Sequence, residues 1–247
     1  MARWIAGLDG CRGAWAGTLL DLDDPARHRS ALFARVADCL DAPEAPLGVG
    51  IDVPIGLPDR VQGGGRAADR AARAFLGRTG RSSVFPVPPR AAIYAADYAA
   101  AKALSRAGSN PPFAPSIQCF NIFPYIREVD HLLRARPDLV GRVHEVHPEI
   151  AFRRLNGDQP LGAGKKGPQR QAGLALRRAL LAAAGLPEAL VLSDRPRGVG
   201  ADDHLDAMAA LVVARDHLLG TATPLPDPPE RDAHGLPVVI WMPARIG

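Results

Sequence analysis

Short apolar runs that end in an acid alternate along this chain with glycine turns and longer amphipathic stretches. Trp4-Ile5-Ala6-Gly7-Leu8-Asp9 reads as a buried strand closing on a carboxylate. Residues 10–13 supply a glycine-bounded turn into a second apolar run at 14–22, so the two predict a hairpin. In 30–41, Leu32, Phe33, Val36, Ala37 and Leu40 share the spacing of one helix face and predict an amphipathic helix. Residues 47–53, LGVGIDV, return to a strand pattern with Asp52 near its end.

From Pro54 the pattern changes. SSVFPVPPR is rich in turns, and helices are predicted over 91–107 and about 123–136. We read 59–141 as a subdomain inserted into a single domain that spans 1–247. Strand character returns at 143–152, with Pro148 as a break. A glycine-lysine loop at 162–170 precedes a predicted helix at 171–184, with Leu174, Ala175, Leu181 and Ala182 as its buried stripe. A further helix covers 201–219, and an apolar strand, VVIWM, ends the pattern within 235–243. Strands and helices in this order fit an α/β layered domain.

Composition narrows the classes. Hydrophobic residues make up 47% of the chain, enough for a sizeable core, but aromatics are only 5%, so Ala, Leu and Val must fill it. That scarcity also argues against a base-stacking platform for single strands. The net charge of +4 permits an anionic partner without requiring one. Three cysteines with no CxxC pair argue against a disulfide framework or a zinc cluster, and favour a reducing, cytoplasmic setting. No signal-peptide pattern opens the sequence, and no apolar run is long enough to span a bilayer.

Four acids stand at chemically telling places: Asp9 and Asp52 at strand ends, and Asp203 and Asp206 three apart at the start of an apolar helix. Residues three apart share a helix face. Carboxylates in apolar runs are costly to bury alone, and Mg²⁺ or Mn²⁺ would compensate them with hard oxygen ligation. Spacing leaves other readings open. Asp9 suits a turn before Gly10, Asp52 a plain strand end, Asp202 or Asp203 a helix cap, and Asp206 a surface or ion-pair role. Capping is the favoured reading for Asp202. Cys11 has no evident His partner. His147 suits a structural hydrogen bond better than proton transfer, and His204 is predicted on another helix face from the acids.

Basic residues offer anion contacts. Arg12 follows Asp9 in the hairpin turn. Arg78, Arg81, Ser82, Ser83 and Arg90 surround the Pro-rich segment, with Arg81 and Arg90 favoured for phosphate contact. Lys165 and Lys166, with Arg170, form a basic loop for which phosphate contact and plain solvation stay equally open. The loop is not a P-loop.

The segments GLDGCRGAW (7–15), GIDVPIGLP (50–58), GRSSVFPVPPR (80–90), SIQCFNIFPYIREVD (116–130), EVHPEIAFRRLNG (145–157), DDHLDAMAAL (202–211) and GLPVVIWMP (235–243) resemble the successive motifs of domain-of-unknown-function family 429. That family is described as predicted nucleases with an RNase H fold. The resemblance implies an RNase H-like α/β domain, a mixed sheet flanked by helices, with a helical and loop insertion after the fourth strand. RuvC-type resolvases are similar in acid layout. By that likeness Asp9, Asp52, Asp203 and Asp206 would hold Mg²⁺ or Mn²⁺ and cleave nucleic acid by two-metal hydrolysis. Glu145 would join them as a ligand or general base, with Glu149 as its competitor. Two rival classes remain: a nucleotide-dependent phosphotransferase on the same core, for which one core in one chain is too few, and a non-catalytic nucleic-acid or anion-binding protein. The sequence leaves the oligomeric state open, a homodimer included.

Overall fold

The computed structural model describes residues 2–164 and 167–246. Its elements in chain order are β1 (Trp4–Cys11), β2 (Ala14–Asp21), β3 (His28–Phe33), α1 (Val36–Leu40), β4 (Gly48–Ile51), β5 (Val61–Gln62), α2 (Ala67–Gly80), α3 (Arg90–Ile93), α4 (Tyr98–Ala107) and β6 (Ser109–Asn110). They continue with α5 (Ile117–Asn121), α6 (Phe123–Ala135), β7 (Val143–Glu145), α7 (Pro148–Leu155), α8 (Arg170–Ala183), α9 (Glu188–Val191), α10 (Ala201–Leu218), β8 (Thr223–Arg231) and β9 (Pro237–Met242). The chain divides into two units. The first holds the residues through Asp52, Arg142–Thr223 and those from Trp241 onward; the second holds Val53–Gly141 and Pro224–Ile240. The second unit therefore opens at Val53, beside the pattern change at Pro54 and before the expected boundary at 59, and also takes in Pro224–Ile240.

The first unit is α/β, built on a mixed five-stranded sheet in the order β3-β2-β1-β4-β7. β1 and β2 form the predicted antiparallel hairpin, β3 pairs antiparallel to β2, and β4 and β7 run parallel to β1. Ile5, Leu8 and Ile51 are fully buried, as expected of inner strands shielded on both faces.

One helix lies directly on this sheet. α10 packs on β1, β2 and β4, and α7 and α8 pack on α10 in turn. It is buried without interruption from His204 to Ala214, which identifies a central helix rather than an amphipathic surface one. Gly7 of β1 and Gly50 of β4 are register partners. A Cβ at Gly7 would stand 2.0 Å from the Ala207 carbonyl oxygen and 2.3 Å from the Leu211 nitrogen; one at Gly50 would stand 2.1 Å from the Ala210 carbonyl oxygen. The two glycines let helix backbone rest on strand backbone. Around that contact Phe152, Leu174, Leu181, Met208, Leu211 and Val212 belong to one apolar cluster.

Several segments depart from the sequence reading. The helix predicted over 30–41 is the edge strand β3 followed by the five-residue α1. Ser30 lies opposite Thr18 with their hydroxyls 3.2 Å apart, and Leu32 lies opposite Ala16. Leu32 is 45% exposed, so residues spaced like a helix stripe in fact split between edge and core. Pro148 does not break a strand: it occupies the first turn of α7, where its missing N–H costs nothing. The helix predicted at 91–107 is two, because Asp97 caps α4 by accepting from the Ala100 amide at 2.8 Å. In α8 the buried side is Gly173, Leu174, Arg177 and Leu181, while Ala175 and Ala182 are exposed.

The second unit is mainly helical, with a two-residue parallel pairing of β5 and β6. Buried ion pairs tie it together. Arg66 meets Asp69 through Nη2 at 2.7 Å and Nε at 3.0 Å, and donates to the Ile55 carbonyl. Arg90 joins Asp130 and, at 2.6 Å, Asp232, and Tyr94 donates its hydroxyl to Asp130. Among the described residues no helix is long and apolar enough to cross a membrane.

Two outcomes are expected. Gly7→Ala and Gly50→Ala should each cost about 3 kcal/mol in urea unfolding, since the obstacle is backbone, whereas Gly141→Ala, with nothing within 4 Å, should stay within about 0.5 kcal/mol. The second concerns pH. His144 stacks on His217 at 3.5 Å and meets Trp241 edge-on; burial first, and His217 second, push its pKa down to about 3. It folds neutral, while an unfolded His takes a proton near pH 6.5. Its contribution is therefore complete above about 6.5 and is lost as pH falls towards 3. Between pH 7 and 5, wild type should lose about 2 kcal/mol more stability than His144→Phe, which keeps a flat ring in the stack.

Candidate functional site

Strand register, together with the seating of α10, determines where the acids stand. The Asp52 amide donates to the Leu8 carbonyl at 2.9 Å, so the β1–β4 pairing continues past Ile51 and sets Asp9 and Asp52 on neighbouring strands, about 4.8 Å apart. Side chains two apart share a face of the sheet. Asp9 therefore shares the α10 face with Gly7, and Asp52 shares it with Gly50. α10 runs antiparallel to these strands: Gly48 lies under Ala214, and Gly50 under Ala210. Two strand residues, about 6.6 Å, match four helical residues, about 6 Å. The same step carries Gly50–Ala210 to Asp52–Asp206, and Gly7–Ala207 to Asp9–Asp203. Four carboxylates from three separate segments are thus directed to one end of the sheet. Asp9 and Asp206 are buried, at 8% and 5% exposure; Asp52 and Asp203 are half-buried.

The donors suit a hard divalent cation in kind, being carboxylate oxygens on strand ends and a helix face. Their spacing is open. Among the described residues no three His, Cys, Asp or Glu side chains converge as ligands of one ion. Asp203 has a second task, since its Oδ2 accepts from the Gly200 amide at 3.2 Å and closes the N-terminus of α10. Asp203, rather than the favoured Asp202, is therefore the capping residue; a carboxylate that accepts one amide keeps lone pairs for a cation, so capping and ligation are compatible.

The neighbours of this face are less reactive. Cys11 lies beside Asp203, and its Sγ is 3.7 Å from the Gly198 carbonyl. Burial, then the hydrogen bond to Asp203, raise its pKa, which disfavours the thiolate a nucleophile needs. Arg12 is exposed in the hairpin turn with φ of 51°. His204 also faces the sheet, with Nε2 2.9 Å from Ser30 Oγ, and burial pushes its pKa down to about 4.

Glu145 does not join the four aspartates on their face. Its neighbours His144, stacked on His217 of α10, and Val146, in the α10 cluster, both point to that helix. Alternation turns the buried Glu145 to the opposite face. Its competitor Glu149 is engaged by Arg177 through both carboxylate oxygens, at 2.9 and 3.1 Å, and Arg177 is only 2% exposed. Glu149 thus holds α7 to α8. His147 is the N-cap residue of α7.

The favoured arginines of the second unit separate. Arg90 is neutralised by Asp130 and Asp232, which removes it from phosphate contact and makes it a structural hub. Arg81 is exposed and lines an open hollow with Arg70 and Arg73. The sequence pattern does not single out Arg70 and Arg73, because no helix is predicted across α2; arginines three apart after the Gly63-Gly64-Gly65 turn are the available signal. Ser83 Oγ donates to the Gly80 carbonyl at 2.8 Å and so serves its own turn. Lys165 and Lys166 lie outside the described residues.

A family model described as a protein of unknown function, DUF429, matches residues 7–231, and the chain belongs to that family. No curated protein and no solved structure matches the chain.

Removing the carboxylate partner of a buried guanidinium strands a charge. Glu149→Gln should therefore lower unfolding free energy by about 3 kcal/mol. The exposed Arg12→Gln should change it by less than about 0.5 kcal/mol, both read from denaturant melts.

Proposed function

We propose that this chain is a divalent-metal-dependent nuclease of RNase H-like fold that hydrolyses phosphodiester bonds of nucleic acid. The carrying observation is the register that brings Asp9, Asp52, Asp203 and Asp206 to one end of a mixed sheet beneath α10. The sheet is compatible with an RNase H-like fold, and an acid on the first strand, one on the fourth and a pair on the last helix match the RuvC-type layout. Asp9, Asp52, Asp203 and Asp206 would hold Mg²⁺ or Mn²⁺. When bound, the metal supplies charge neutralisation and an acidified water. The chain's own part is to hold anionic oxygens at fixed heights on rigid strand ends and to keep the inner side of the site dry. Glu145, turned to the other face, is left out of this set.

A second reading, for which the net charge of +4 leaves room, is a non-catalytic nucleic-acid or anion-binding protein on the same scaffold.

Titration calorimetry with Mn²⁺, paired with cleavage of labelled DNA and RNA oligonucleotides, separates the two. Wild type should bind Mn²⁺ and cleave only with divalent metal present. Asp9→Asn and Asp206→Asn should lose both properties while melting as cooperatively as wild type. Equal cleavage by wild type and Asp9→Asn, or no Mn²⁺ heat in wild type, would overturn the nuclease reading.

A further inference from the structure

The second unit carries a hollow of about 570 Å³ lined by Gly63, Gly64, Arg70, Arg73, Arg81 and Pro86. Its size falls within the range of small-molecule sites, about 300–1,000 Å³. Three arginines are among its lining residues, and no acid is.

The way these arginines are held differs from the rest of the unit. Arg70 Nη1 donates to the Gln62 carbonyl at 2.9 Å and to that of Gly65, and Arg73 donates to the carbonyl oxygens of Gly64 and Val84. Carbonyl oxygens orient a guanidinium without cancelling its charge. Arg81 makes no side-chain hydrogen bond or ion pair among the described residues. The nearest acid, Asp69, is saturated: Arg66 holds Oδ1 through two nitrogens, and the amides of Arg66 and Val87 hold Oδ2. The glycine turn that supplies the carbonyls is built for this approach. Gly63, Gly64 and Gly65 have φ of 70°, 81° and 121°, and a side chain on Gly65 would meet Asp69 Oδ2 at 2.9 Å. The Arg73 guanidinium is made less basic first by burial and then, against the pull of Asp69, by Arg81 and Arg70. Like charges are thus crowded here, and carbonyl oxygens hold two of them, Arg70 and Arg73, in place.

We propose that this hollow is a binding site for the phosphate end of a small phosphorylated ligand, with Arg70, Arg73 and Arg81 as its three cationic contacts. Planar guanidinium groups match phosphate oxygens with paired, charge-assisted hydrogen bonds. Three cations suit a doubly or triply charged group, a terminal phosphate or a diphosphate, better than a single internal phosphodiester charge. The volume beyond the arginines leaves room for an attached organic moiety. The site stands independently of the aspartate cluster.

Calorimetry and thermal melting with pyrophosphate, inorganic phosphate and ADP, in EDTA at matched ionic strength, test it. EDTA removes any metal-coupled binding at the aspartates. Wild type should bind pyrophosphate and ADP and melt higher with each. Arg81→Gln, at an exposed position, should weaken pyrophosphate about tenfold or more and still fold. The Arg70→Gln/Arg81→Gln pair should abolish the melting shift, and Asp9→Asn should leave it unchanged. Absence of pyrophosphate binding to wild type, or equal binding by the double variant, would overturn the proposal. Loss of the shift in Asp9→Asn would place the ligand at the aspartates instead and overturn it equally.

Discussion

Contact between the backbone of α10 and the backbone of β1 and β4 is the constraint on which the first unit depends. Side-chain packing tolerates small slides of one element over another, because apolar contacts are many and non-directional. A carbonyl lodged where a Cβ would otherwise be tolerates much less. Gly7 and Gly50 set both the height of α10 above the sheet and its position along the strands. Once those are set, so is the alignment of every later strand residue with an earlier helix residue. The acids inherit their positions from this seating; they do not create it.

Buried charge is handled in two ways in this molecule. Arg66 with Asp69, Arg90 with Asp130 and Asp232, and Arg177 with Glu149 form compensated pairs, each with further hydrogen bonds to spare donors or acceptors. The Arg66–Asp69 pair is local, whereas the other two join segments far apart in sequence; all fix geometry more than they add net stability. Arg70 and Arg73 are oriented by neutral carbonyl oxygens and keep their charge. The first arrangement consumes electrostatic potential inside the fold, and the second presents it to solvent.

What was legible in the sequence follows the same physics. Asp9, Asp52 and the Asp203–Asp206 pair could be read because each acid interrupts or closes an apolar run, an expense visible in one dimension. The β1–β2 hairpin and α10 were legible for the same reason, since glycine turns and long apolar periodicity are local. β3 was not. As an edge strand it alternates weakly, and Leu32, exposed there, mimics a helix stripe with Val36 and Leu40. Glu145 and Glu149 could not be separated, because the distinction depends on which face β7 presents and on Arg177, 28 residues beyond Glu149. The pairing of Arg90 is not legible either, because one of its partners, Asp232, lies 142 residues away. Spacing reports which groups are costly; it does not report which distant partner meets the cost.

The seating of α10 on β1 also bears on how the protein is made. About 200 residues separate Gly7 from Ala207. At roughly 5–20 residues per second, the first strands would leave the ribosome some 10–40 s before the helix that covers them. For that interval the face of β1 that α10 will cover stands without its cover. Closure across some 200 residues also predicts slow, high-contact-order folding, in which the β1–β2 hairpin waits for α10 to be synthesised.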